Sequence, residues 1–526
     1  MLLRGVAQSG RRGLVARPVR VSARGLAAAA AGGQRILYRS TRGGQSDLTF
    51  SEAVLQGLGT DKGLLVPQAI PRFDAATLES WRGLPFHALA AEALTAASYG
   101  AQWRDEAVTP VTTLPGGMRL LELHHGPTFA FKDVALQFLG NLFELLLAKR
   151  EAAGLSHTLT VAGATSGDTG SSAIHGLRGK RGVEAFASPR GGVVFMMYPE
   201  GRTSPTQELQ MISVLDANIH NIALAGTFDD CQNIVKALPT SPRAVAALFN
   251  DHAFRDSVGL AAVNSINWAR ILAQTVYYVH AYHEATSPGA ALEGTQVSYS
   301  VPTGNFGDIL AGWYAKQMGL PVRKLIVATN ENDILHRFFQ AGDYSQLGDI
   351  QISSNFERFL FHAGGDDAPA LKSLMDGLED TKRLTPPPSL LAACREEMDS
   401  ERVDDAEVLA TIADVHTASA GEHTLDPHSA IAVAGARRYL QRAPEEAGVP
   451  MVALACAHWA KFASAVGRAI GPEEAAKLEM PEPLASLHGK PTRVAPLPND
   501  VSAVRQHIHA TLAQAHESSD QEAVGA

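Results

Sequence analysis

The stretch Leu159-Thr160-Val161-Ala162-Gly163-Ala164-Thr165-Ser166-Gly167-Asp168-Thr169-Gly170-Ser171 runs from a short apolar, β-branched segment through a glycine- and hydroxyl-rich loop into small helix-compatible residues. It reads as a strand over residues 157–162, a loop over 163–170 and a helix from Ser171 onward. The pattern recurs downstream, with a strand at 297–301, a loop at 302–307 and a helix at 308–318. Further strands are expected at 192–198, 219–225, 324–328 and 449–455. Strands alternating with helices indicate an α/β fold with mainly parallel sheets. Ligands of such sheets bind beyond the carboxyl ends of the strands, where these loops lie.

The chain of 526 residues is long enough for two or three domains, and its 45% hydrophobic and 19% charged residues exclude global disorder. Cys231, Cys394 and Cys456 are far apart, which excludes a disulfide scaffold and a thiolate zinc site. A net charge of -9 argues against a general nucleic-acid binder. No apolar run approaches the ~18 residues a membrane helix needs. Residues 1–46 hold nine arginines and no Asp, Glu or Lys, the signature of an organelle transit peptide, here assigned to residues 1–35. Residues 363–388, with paired glycines and a triple proline, read as surface excursions, and the polar residues 506–526 as a flexible tail.

Lys132 follows Phe129-Ala130-Phe131 and precedes an apolar helix expected over residues 134–150. An apolar setting disfavours the ammonium and favours a nucleophilic amine suited to a Schiff base. The loops at 163–170 and at Pro302-Thr303-Gly304-Asn305-Phe306-Gly307-Asp308 can each offer free amides to an anion. Neither has P-loop or dinucleotide-fingerprint spacing. Alone, each also fits an ordinary strand-to-helix turn, and Lys132 a surface lysine. Together they describe a pocket for pyridoxal phosphate. A serine hydrolase is not expected, since no Gly-x-Ser-x-Gly elbow is present. His124-His125 is not expected to bind metal, because neighbouring strand residues face opposite ways, and no metal is expected elsewhere.

With His125-Gly-Pro-Thr-Phe-Ala-Phe-Lys-Asp133, Ala164-Thr-Ser-Gly-Asp-Thr-Gly170 and Pro302-Thr-Gly-Asn-Phe-Gly307 in order, the chain resembles the threonine synthase family, in its longer subgroup. Tyr38-Arg-Ser-Thr-Arg-Gly43, Asp61-Lys-Gly-Leu-Leu-Val-Pro67, Tyr198-Pro-Glu-Gly-Arg-Thr-Ser-Pro205, Asn264-Ser-Ile-Asn-Trp-Ala-Arg270, Ala328-Thr-Asn-Glu-Asn-Asp333 and Asp426-Pro-His428 extend the likeness over residues 38–490. The resemblance implies a pyridoxal-phosphate enzyme of fold type II, a carbon–oxygen lyase acting on phosphate in threonine biosynthesis. It implies two α/β domains and an N-terminal extension: an extension or cap over 36–115, a smaller domain within 116–240 and a larger cofactor-binding domain over 241–505 with part of 116–135.

Residue by residue, it makes Lys132 the catalytic, cofactor-bearing lysine. Gly304, Asn305, Phe306, Gly307 and Asp308 would hold the cofactor phosphate. Ser166, Gly167, Asp168, Thr169, Arg202, Ser204, Asn264, Ser265, Asn267 and Arg270 would serve the substrate. The family motif Ser-Thr-Ala-His-Pro-Ala-Lys-Phe is here Ala455-Cys-Ala-His-Trp-Ala-Lys-Phe462, so Cys456 stands where a threonine hydroxyl meets the pyridine nitrogen. A thiol is a weaker partner.

The implied reaction converts O-phospho-L-homoserine and water to L-threonine and phosphate. The alternatives are a related phospho-lyase releasing ammonia and phosphate from a phosphorylated amino acid, and a non-catalytic metabolite-binding descendant. The partner is a small molecule, with no nucleic acid and no membrane, and the chain is a monomer or homodimer. Its expected location is an organellar matrix or stroma, the mitochondrion ahead of the plastid.

Overall fold

The strand–helix alternation builds two separate sheets in the computed structural model, which describes residues 36–90, 98–154, 159–180, 193–235, 260–346 and 352–525 together with Leu248, Phe254 and Val258. Ile36–Ala526 forms one unit. Met1–Arg35, the segment read as a transit peptide, lies outside the described residues, as do residues 157–158 and 192 of two expected strands.

The larger sheet has the order β13 (Met398–Arg402), β10 (Val322–Thr329), β9 (Val297–Pro302), β14 (Met451–Ala455), β4 (Arg119–Glu122) and β3 (Val111–Thr113). All its pairs are parallel except β3 with β4 at one edge. The smaller sheet is parallel throughout, in the order β15 (Ala495–Leu497), β7 (Ile219–Leu224), β6 (Val194–Pro199), β5 (Thr160–Ala164) and β8 (Leu260–Ala262). Two short antiparallel pairs join β1 (Tyr38–Ser40) to β2 (Leu65–Pro67) and β11 (Tyr344–Ser345) to β12 (Arg383–Leu384).

Central strands are buried on both faces, as parallel sheets covered by helices require. Val297, Tyr299 and Val301 of β9 are buried, and so are Ser298 and Ser300 between them. The Ser300 hydroxyl donates to the Ala432 carbonyl at 2.7 Å, which relieves its burial. The helices Lys132–Ala152 and Asp168–Leu177 approach closely because each carries a glycine at the crossing. A Cβ on Gly140 would stand 1.9 Å from the Gly176 carbonyl oxygen, and one on Gly176 2.4 Å from that of Leu136.

The structure corrects several expectations. β8 and β15 fall in the span assigned to the larger domain, yet both pair into the smaller sheet. A sheet recruits strands by edge register, so neither sheet is drawn from one continuous segment. Residues 506–525 are helical, within Val501–Gly525, and Val504 and Ile508 are fully buried, so their start is not a loose tail. Residues 363–388 hold the helix Ala368–Thr381, which buries Leu371, Met375 and Leu378 at helical spacing. No described helix is long and apolar enough to cross a membrane.

Candidate active site

Lys132 is the first residue of its helix, two positions earlier than the sequence suggests. The preceding loop is strapped to the end of β14. The Phe131 amide donates to the Cys456 carbonyl at 2.7 Å, and the His458 amide to the Phe129 carbonyl at 3.1 Å. Asp133 fixes the loop from the other side. Its carboxylate accepts from the Thr128 amide (2.8 Å), the Thr128 hydroxyl (2.6 Å) and Ser172 (2.8 Å). The Arg104 guanidinium lies 3.4 Å over the Phe129 ring and donates to the Gly126 carbonyl at 2.7 Å. Burial pushes the Lys132 amine below the ordinary lysine range; Asp168 works against that push, and Lys461 and Arg270 add to it.

Asp168 begins its helix just after Gly167, whose φ of 137° is open to glycine. The Thr165 hydroxyl accepts from the Gly167 and Gly170 amides at 2.9 and 2.8 Å and sets this turn. Asp168 Oδ2 is 3.6 Å from Lys132 Nζ, and Oδ1 is 2.6 Å from Lys461 Nζ. Gln207 donates to Oδ1 at 2.7 Å. Burial raises the Asp168 carboxyl, but Lys461 and Lys132 outweigh it and hold the group far below the usual carboxylate range. Lys461 is itself buried and also donates to the Thr128 carbonyl at 2.9 Å.

The opposite wall is Asp308. Tyr277 and Tyr278 donate to its Oδ1 at 2.5 and 2.9 Å, and Cys456 Sγ lies 3.9 Å from Oδ2. Burial lifts the Asp308 carboxyl to about 6. Burial, with Asp308 next, also pushes the Cys456 thiol well up, so it stays protonated and can donate. The carboxylate therefore faces tyrosines and a thiol, and only the Asp308 amide belongs to the anion-binding array expected of this loop.

That array is well formed. The carbonyls of Gly304 and Asn305 are drawn away by Ser353 Oγ (2.7 Å) and by the amide and side chain of Asn355 (3.1 and 3.0 Å). Among the described residues, the amides of residues 304–308 have no protein acceptor. Phe306 takes φ 61°, a costly conformation for a bulky residue. Its ring packs on Phe356 and Phe359 at 5.1 and 5.5 Å, which holds it there. The glycines of this loop do not supply the positive φ. A Cβ on Gly304 would meet nothing within 4 Å.

The expected substrate residues divide. Arg270 is buried, and among the described residues it has no carboxylate in an ion pair with it; one nitrogen donates to the Val263 carbonyl at 3.1 Å and its Nε has no partner there. Burial lowers it to about 10. Asn264 is buried, Ser265 and Thr169 are half-buried and Ser166 is exposed. Asn267 caps the helix Trp268–Ala285 and donates to the Val54 carbonyl at 2.9 Å. Ser204 caps Pro205–Ile212. Both side chains thus serve the scaffold. Arg202 is exposed.

Lys461 went unnoticed in the sequence as a site residue, although its flanks, Ala460 and Phe462, are as apolar as those of Lys132. Asp426 also belongs to the site: it is fully buried and lies 2.7 Å from His428 Nδ1, which it holds above the ordinary histidine range against the effect of burial. His124 and His125 lie beyond the end of β4, so strand alternation does not separate them, and their rings stack at 4.9 Å.

Three family models match the chain: "Threonine synthase N terminus" over residues 37–102, "Pyridoxal-phosphate dependent enzyme" over 104–457 and "Threonine synthase, C-terminal" over 429–508. The chain is 42% identical to a threonine synthase from Eremothecium gossypii over 90% of its own length and 98% of the relative's. It is also 42% identical to one from Pseudomonas aeruginosa, covering 90% and 97%. Among solved structures, a PLP-bound threonine synthase from Brucella melitensis matches with a TM-score of 0.77 at 39% identity, covering 90% of this chain and 99% of that one. Threonine synthase from yeast matches at 0.79 and 38%, covering 91% and 99%.

Proposed function

The chain belongs to the threonine synthase family of pyridoxal-phosphate-dependent lyases, and from that premise we propose that it converts O-phospho-L-homoserine and water to L-threonine and phosphate. The observation that carries this reading is the presence together of a half-buried Lys132 whose pKa is lowered and of the amides of residues 304–308, which have no protein acceptor among the described residues. The cofactor fits this set. Lys132 would hold its aldehyde carbon, and the amides at the start of Gly307–Gln317 would hold its phosphate. When bound, the cofactor supplies a ring that takes up negative charge from the substrate carbon.

The chain's own residues supply the rest. Lys132 would move protons at the substrate Cα and Cβ, and burial, which lowers its pKa, favours the free amine that this work needs. Asp168, kept ionised by Lys461, orients the Lys132 amine. Arg270, buried and without a carboxylate partner among the described residues, offers its charge to an anionic group of the substrate. Cys456 and the Tyr277–Asp308 cluster present donors and a shielded carboxylate to the pyridine side.

Product analysis with O-phospho-L-homoserine tests the reading. Threonine and phosphate are expected; 2-oxobutyrate with ammonia and phosphate would assign the chain to the phospho-lyase reaction instead. The arginine-rich, acid-free residues 1–35 support import into an organelle, the mitochondrion first. Fusing those residues to a fluorescent protein checks this, and cytosolic fluorescence would reject it. The working unit is a monomer or homodimer, which sedimentation resolves.

A further inference from the structure

Glu122, the last residue of β4, and the two histidines that follow it form a compact cluster next to the Lys132 loop. One ligand atom from each of Glu122, His124 and His125 lies within 4.8 Å of the other two. His125 Nε2 and Glu122 Oε2 are already 2.8 Å apart. Donors around a tetrahedral zinc are about 3.4 Å apart when each bond is about 2.1 Å. The three groups therefore bracket the required spacing, and the stacked rings of His124 and His125 must turn for both to face one ion.

Two independent features distinguish this cluster from an ordinary surface group. His124 Nδ1 is buried, and among the described residues it has no hydrogen-bond partner. His124 also lines a cavity of about 200 Å³ with Glu122, His423, His458 and Glu479. A cavity of that size holds several waters, so a metal here can complete its coordination with solvent. The Thr112 hydroxyl donates to Glu122 Oε1 at 2.9 Å, which orients the carboxylate and leaves Oε2 for the cluster, as supporting groups behind metal ligands do. The Arg104 guanidinium is turned to the Gly126 and His124 carbonyls and the Phe129 ring.

We infer that Glu122, His124 and His125 form a zinc site, with water in the remaining coordination position. Two imidazoles and one carboxylate form a borderline donor set that suits Zn²⁺ and disfavours Mg²⁺ or Ca²⁺. His125 directly precedes Gly126, whose carbonyl Arg104 holds, so a bound ion ties the exit of β4 to the loop that carries Lys132.

The test is Zn²⁺ titration of the full-length, cofactor-loaded protein by calorimetry, with Co²⁺ absorption as a geometric probe. One Zn²⁺ per chain is expected, with a tetrahedral or five-coordinate Co²⁺ spectrum. His124→Ala and His125→Ala should each weaken binding at least tenfold. Glu122→Gln keeps the size and the Thr112 contact, so it reports on the ligand even if a histidine variant folds poorly. It should weaken binding as well. The melting temperature of the parent protein should rise with added Zn²⁺, and that of Glu122→Gln should not. Absence of stoichiometric binding overturns the inference. So does one-to-one binding that survives unchanged in Glu122→Gln and in whichever histidine variants fold.

Discussion

Lys461 Nζ sits 2.6 Å from Asp168 Oδ1, closer to that carboxylate than Lys132, whose Nζ is 3.6 Å from Oδ2. A half-buried lysine and a fully buried one thus share one anion, and the buried Lys461 lies nearer to it. The result is an amine at position 132 that burial can push down without a strong counter-ion to restore it.

Lys461→Met tests that arrangement. The lost cation is one of the groups that lower Lys132, so its removal should raise the Lys132 pKa and give Asp168 over to Lys132. Activity needs the free base, so the rising limb of the pH–rate profile should move to higher pH. Turnover at neutral pH should fall at least tenfold. Breaking a buried pair costs about 3–5 kcal/mol, here at the lower end because Asp168 keeps a second cation. A pH profile superimposable on that of the parent would show that Lys461 does not tune Lys132.

The two lysines must also differ in role. In Lys132→Ala, borohydride should trap cofactor at no lysine, and turnover should be lost. Lys461 cannot substitute, because its ammonium is committed to Asp168 and to the Thr128 carbonyl. Peptide mapping after reduction decides the matter; a modified Lys461 peptide would overturn the assignment.

The parts of this site legible in the sequence are those made by adjacent residues. The turn between Ala164 and Asp168, the loop before Gly307 and the apolar approach to Lys132 each carry their pattern within a dozen positions. Lys461 carries no such signal, since its bond to the Thr128 carbonyl spans 333 residues. The Asp308 carboxylate is similar: its tyrosines come from the helix Trp268–Ala285, one turn pattern among many. The placement of β8 and β15 was not readable because short strands declare their sheet only by pairing. The terminal helix was hidden by its polar composition, although Val504 and Ile508 stand at the i, i+4 spacing that buries them.

Gly140 should be intolerant of any side chain. Alanine ordinarily stabilises an exposed helical glycine by about 1 kcal/mol. Here its Cβ would meet a backbone oxygen at 1.9 Å, and a carbonyl cannot rotate away as a side chain can. The helix bearing Lys132 and the helix begun by Asp168 must separate to admit it. Overpacking of this kind costs about 1–3 kcal/mol or more. Gly140→Ala should therefore lower the denaturation midpoint and loosen the Lys132–Asp168 contact, reducing cofactor affinity as well. An unchanged or raised midpoint would mean that the helices do not cross at this point.

Asp308 should make the cofactor-free protein less stable as pH rises through the neutral range. Its carboxyl sits at about 6 in the native state because burial disfavours the charge, against 3.8 for the ordinary group. Between those values the native state binds more protons than the unfolded chain. A native pKa raised above the unfolded one gives a contribution that is complete below the unfolded value and lost as pH rises through the native one. The full span corresponds to about 3 kcal/mol, of which about 1–2 kcal/mol falls between pH 5 and pH 8. Asp308→Asn cannot titrate, so this slope should vanish whatever constant offset the substitution adds through Tyr277, Tyr278 and Cys456. Urea denaturation of both proteins at several pH values gives the difference directly. The stability of the parent relative to the variant should decline mostly between pH 5 and pH 7 and level off by pH 8. A constant difference across that range would place the native Asp308 pKa near its ordinary value, and the tyrosine hydrogen bonds would then have offset the burial.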